Sequence, residues 1–132
     1  MKVRALAATG KDLPEEFLET GWTPRSRFDL TVGREYAVRG ICLTGRALEY
    51  LVEDDGQMPQ WYPAAVFAVT DNHLPPGWRF RIFSPGSLVT AVWGYAELTD
   101  ERHFDALSER DPNALRIFGD QRDADDRLQT PG

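Results

Sequence analysis

Apolar and polar positions alternate with a period of two through much of this chain, the mark of strands with one buried and one wet face. Ala47–Glu53 alternates cleanly: Leu48, Tyr50 and Val52 face one way, Ala47, Glu49, Leu51 and Glu53 the other. Tyr36–Leu43 reads as the strand before it, joined through Thr44-Gly45-Arg46 as a hairpin. Trp78, Phe80 and Ile82 alternate with Arg79 and Arg81, the pattern of a strand with one wet face, and Leu88–Tyr95 is apolar on both faces, as a central strand is. Val3–Ala7 and Ala65–Val69 add two further strands. Asp54-Asp55-Gly56 is the strongest turn signal, because glycine permits positive φ and aspartate bonds its own backbone.

Helical patterning is confined to the two ends. Asp12 is placed to cap a short helix whose first turn holds Pro14, Glu15 and Glu16, with Gly21 to stop it. From Leu98 onward the texture changes. Thr99 is placed to cap a helix over 100–109 that buries Phe104 and Leu107, and Asp111-Pro112 starts a second carrying Leu115 and Phe118. Residues 1–118 thus read as one domain. Residues 119–132 are rich in Asp and Arg with one large apolar residue, Leu128, and read as an acidic flexible tail.

The 132 residues suffice for a core without a metal or disulfide. A single cysteine, Cys42, excludes an intrachain disulfide and a Cys-based zinc site, and fits a reducing cytoplasm. No run approaches the roughly 18 apolar residues of a membrane span. The apolar N-terminal stretch is cut short by Lys11 and Asp12, so it reads as a strand rather than a signal peptide. The net charge is −6, and residues 97–132 hold ten acidic and five basic side chains. That balance disfavours general nucleic-acid binding, which needs a basic surface, and suits a basic protein partner.

Candidate chemistry is sparse. Glu53, Asp54 and Asp55 make an acidic patch, although the Asp pair lacks the spacing of a calcium loop and reads as a turn. Trp61 and Tyr62, beside Pro63, have the composition of a peptide-binding groove, while small barrels also need such residues as core. His73 and His103 are the only imidazoles, and the sequence pairs neither with a nucleophile or phosphate loop. Cys42 reads as a buried structural thiol, and no motif calls for a cofactor or metal.

The run Leu30-Thr31-Val32-Gly33-Arg34-Glu35-Tyr36-Ala37-Val38, then Tyr50-Leu51-Val52-Glu53-Asp54-Asp55 and Trp61-Tyr62-Pro63-Ala64-Ala65-Val66-Phe67, resembles a pattern of small bacterial proteins with an SH3-like core and added helical ends. The resemblance covers about residues 28–83 and brings no catalytic residues. It implies a mostly-β fold: a small, bent SH3-like barrel of five or six strands with a short N-terminal helix and one or two C-terminal helices. The function expected is a non-enzymatic, cytoplasmic protein-binding module using Glu53, Asp54, Asp55, Trp61 and Tyr62, with toxin neutralisation by an immunity-type protein as one concrete form. The alternative is a small-molecule-binding protein or minor hydrolase with a cleft between barrel and helices, which needs His73 or His103 to meet a carboxylate.

Overall fold

Among the described residues the alternating pattern is realised as eight strands in two antiparallel sheets. A computed structural model of the chain describes residues 1–129. The smaller sheet has the order β2-β1-β6, from β1 (Lys2–Ala5), β2 (Glu35–Ala37) and β6 (Phe67–Asp71). The larger has the order β5-β4-β3-β8-β7, from β3 (Gly40–Thr44), β4 (Ala47–Glu53), β5 (Pro59–Pro63), β7 (Arg79–Ile82) and β8 (Val89–Gly94). Among the described residues three α-helices accompany them: α1 (Glu15–Leu18), α2 (Glu101–Ser108) and α3 (Pro112–Gln129). The fold is mostly β with a few helices, and neither sheet closes on itself.

The run expected as one strand over Tyr36–Leu43 divides between the sheets. Tyr36 pairs with Val3 of β1, whereas Ile41 pairs with Tyr50 of β4. Between them the Val38 N–H donates to the Met1 carbonyl and the Arg39 N–H to the Leu51 carbonyl, so the chain changes partners within two residues. Gly40 lets it pass. A Cβ there would collide with the Leu98 side chain, and one on its cross-strand partner Gly94 would lie 2.5 Å from the same Leu98 methyl. The acidic turn also differs in detail. Gln57, not Gly56, takes the positive φ (61°), and Gly56 is required for space, since a Cβ would lie 2.8 Å from an Asp29 carboxylate oxygen.

Two apolar cores lie on opposite faces of the larger sheet. Val52 and Tyr62 face the smaller sheet, packing with Val3, Tyr36, Phe67 and Phe28. Leu51, Cys42 and Val92 face the helices, packing with Leu98, Phe104 and Phe118. Adjacent residues of a strand point to opposite faces, so β4 serves both cores through Leu51 and Val52.

The helices follow the sequence signals with shifts of a residue or so. Asp100, not Thr99, caps α2, accepting the Arg102 N–H at 2.8 Å. Thr99 instead donates its hydroxyl to the Ala96 carbonyl in the 3₁₀ turn before it. Asp12 is not the cap of α1: Pro14 holds that position without a side-chain bond. Asp111 caps α3 as its Asp-Pro signal requires. The boundary expected at residue 118 falls inside α3, which runs on to Gln129. Contacts that composition cannot reveal hold it there: Arg122 pairs with Glu53 at 2.9 Å and Arg39 with Asp126 at 3.0 Å. The rest of the expected flexible tail, residues 130–132, lies outside the described residues.

Candidate functional site

The acidic turn and its aromatic neighbours are built into the fold. Asp54 is 8% exposed, and accepts the Gly56 N–H at 3.0 Å, the Met58 N–H at 3.2 Å and the Tyr62 hydroxyl at 2.7 Å. Asp55 accepts the Tyr36 hydroxyl at 2.6 Å, the Thr31 hydroxyl at 2.7 Å and Arg34 at 2.8 Å. The bond from Tyr36 leads those that hold its carboxyl below the usual range. Glu53 is taken by Arg122. Tyr62 lies in the core, its phenol pushed up chiefly by burial and then by Asp54. Trp61, next along β5, points to the other face, where it packs against Phe104 at 5.2 Å. These five residues therefore do not share one exposed surface. Their polar bonds fasten the β4–β5 turn to the segment around Thr31–Tyr36.

The imidazoles stand in two unlike places. His73 is almost fully exposed and bonds Asp71 Oδ1 at 2.9 Å, a neighbour in its own turn. His103 is half-buried, with Nε2 2.7 Å from the Tyr95 hydroxyl, on a cleft of about 380 Å³ between α2 and α3 that Asp100, Asp111 and Ile117 also line. Burial holds the His103 imidazole below its ordinary pKa, against an opposing pull from Glu97 and Asp100. No carboxylate bonds His103 among the described residues, so the orienting partner that a general base needs is replaced by a phenol. Among the described residues, no group of three or more His, Cys, Asp and Glu is placed to hold a metal ion. No helix there is long and apolar enough to cross a membrane.

The open surface lies at the far edge of the larger sheet. All four residues of β7 are exposed, with Phe80 at 52% and Ile82 at 67%, and the Phe80 ring packs tilted against Trp93 with centroids 4.8 Å apart. The smaller sheet covers the β4–β5 end of this face and leaves the β7–β8 end uncovered. Strand pairing fixes where the backbone of β7 points. The Phe83 N–H donates to the Thr90 carbonyl, and pairing continues through Arg81↔Val92 and Arg79↔Gly94. Residues 79, 81 and 83 thus direct their N–H and C=O toward β8, and the alternate residues Phe80 and Ile82 direct theirs away from it. With β7 last in the sheet, those four groups face outward.

The opposite edge differs. β5 begins and ends in Pro59 and Pro63, which have no N–H to offer another strand. β7 contains no proline. Alternation along the sequence marks this strand and implies one wet face, the arginine face. Both faces are wet, because β7 sits beyond the reach of the smaller sheet. One further signal was present: residues 72–96 contain no Asp or Glu and only two charged side chains, Arg79 and Arg81. In comparisons with protein-family models, curated proteins and solved structures, nothing matches this chain.

Proposed function

We propose that this chain is a non-enzymatic protein-binding module that takes an extended segment of its partner onto the edge of β7. One observation carries the reading: Phe80 and Ile82 present both apolar side chains and outward-directed backbone groups at an edge with no proline guard. A strand added there completes the ladder, with main-chain bonds supplying affinity and alternate side chains specificity. Neutralisation of a toxin by a small acidic immunity-type protein is one concrete form of such binding. The net charge of −6 suits a partner whose body is basic, because charge of this kind acts at long range on encounter.

Affinity capture from the source-cell lysate tests the reading with three baits: wild type, Ile82→Pro and Asp55→Asn. Proline removes the outward N–H of residue 82 and blocks an incoming strand. A protein retained by wild type and Asp55→Asn but lost with folded Ile82→Pro, and then reconstituted from purified components, supports β7 as the contact. Equal retention by Ile82→Pro moves the contact away from this edge.

A further inference from the structure

The side chains of β7 differ by face, and the incoming segment must match both. Residues that pair opposite Phe80 and Ile82 share the face of those side chains, next to Trp93, where apolar groups extend an already apolar surface. Residues before and after them fall on the other face, beside Arg79 and Arg81. Among the described residues neither guanidinium has a carboxylate in ion-pair contact, and Arg81 donates only to the Thr99 carbonyl at 3.4 Å. Three carboxylates lie near them without an ion-pair contact: Glu101 accepts the Ser84 N–H and feels the Arg81 charge, and Glu97 and Asp125 line a small cleft with Arg79. Although the chain is acidic as a whole, the charged side chains of β7 itself are both arginines, and both are exposed.

The geometry points to a partner segment that alternates apolar and acidic residues, the apolar ones beside Phe80 and Ile82 and the acidic ones beside Arg79 and Arg81. This rests on the edge-binding reading above and adds the partner's chemistry to it. The same arginines oppose a second copy of this chain. Antiparallel pairing of β7 with itself needs outward residues opposite outward residues. The two registers that overlap most of the strand then set Arg79 against Arg81, or Arg81 against itself, and like charges directly opposite are destabilising.

Three labelled nine-residue peptides test this by fluorescence anisotropy at low salt: one alternating valine and glutamate, one alternating valine and lysine, and the glutamate peptide N-methylated at its ladder positions. The glutamate peptide is expected to bind about tenfold tighter than the lysine peptide, from two charge contacts of opposite sign. The gap should narrow with added salt, and N-methylation should abolish binding. Arg79→Glu/Arg81→Glu, both at exposed positions, should reverse the preference. Equal binding of the two charged peptides, both to wild type and to the double variant, overturns acidic selectivity while leaving the edge reading intact. No binding by any peptide overturns both. Dimerisation of the full chain, abolished by Ile82→Pro, replaces the acidic segment with a second copy and likewise overturns the proposal.

Discussion

The Tyr62 hydroxyl donates to the Asp54 carboxylate at 2.7 Å inside the molecule, which makes a conspicuous acidic-turn residue part of the core rather than of the surface. A buried acceptor that loses its donor bears the desolvation cost of the unpaired group. Tyr62→Phe should therefore lower stability by about 1–3 kcal/mol, although it removes a single oxygen. Urea unfolding checks this. An unchanged midpoint would mean that the remaining bonds from Gly56 and Met58 suffice for Asp54.

A second buried carboxylate works in the opposite direction. Glu49 accepts the Trp22 indole N–H at 2.9 Å and the Thr44 hydroxyl at 3.3 Å, yet burial raises its pKa despite both bonds. An acid with a raised folded pKa holds its proton longer in the native state. Between its unfolded and folded values the native state then binds more protons, so stability falls as pH rises. Glu49→Gln keeps an acceptor for Trp22 and removes the charge. Its unfolding midpoint should gain on wild type as pH rises above the ordinary glutamate value of about 4.3 and hold that gain at neutral pH. A constant difference from pH 4 to pH 8 would count against the raised pKa.

Strand patterning was the legible part of this chain, and the reasons for its failures are local. Alternation marks β4 and β7 because period two survives wherever the two faces differ. It does not show which strand lies at an edge, which is why the apolar face of β7 read as buried. Tyr36–Leu43 reads as one strand because both halves alternate alike; the change of sheet at Val38-Arg39 lies in distant backbone partners, Met1 for Val38 and Leu51 for Arg39, which no local pattern reveals. Asp54 and Asp55 carry the composition of a surface patch. Their partners Tyr62, Tyr36 and Thr31 lie eight to 24 residues away, where neither spacing nor composition reveals a bond. The extent of α3 was hidden likewise, because Arg122 and Glu53 are 69 residues apart.

Leu98 sets a strict limit on the two glycines beneath it. The Cβ of an alanine at position 94 would lie 2.5 Å from Leu98 Cδ2 and 3.5 Å from its Cβ and Cγ. Leu98 is fully buried and has little room to yield. Gly94→Ala should cost about 1–3 kcal/mol as overpacking, measured by thermal or urea unfolding. The double variant Gly94→Ala/Leu98→Ala should lose less than the sum of the two single changes, because the cavity left by one accepts the methyl of the other. Simple additivity would place the strain elsewhere.

The ion pair between Arg122 and Glu53 decides whether the last turns of α3 contribute to stability. Both side chains are partly buried, at 34% and 23% exposure, so the contact is less screened than a surface pair. Arg122→Ala should lower stability by about 1 kcal/mol and speed amide exchange in residues 119–129 more than in β8. Unchanged exchange there would show that Phe118, packed at 6.3 Å from Tyr95, and the Arg39–Asp126 pair anchor the helix without it.

Burial makes His103 a histidine that titrates below its ordinary value. Its ring is half-buried, its Nε2 contacts the Tyr95 hydroxyl, and burial favours the neutral imidazole despite the nearby Glu97 and Asp100 carboxylates. For a histidine with a depressed folded pKa, the unfolded chain takes up the proton first. Stability is therefore full above the ordinary value of about 6.5 and is lost as pH falls from there toward the folded value. The His103 ring should titrate by NMR with a midpoint below about 6.5. Replacing His103 by asparagine should flatten the fall in urea midpoint between pH 7 and pH 5, whatever it costs in absolute stability. A His103 midpoint above the ordinary value would show that the two carboxylates outweigh burial, and the slope of stability with pH would then reverse.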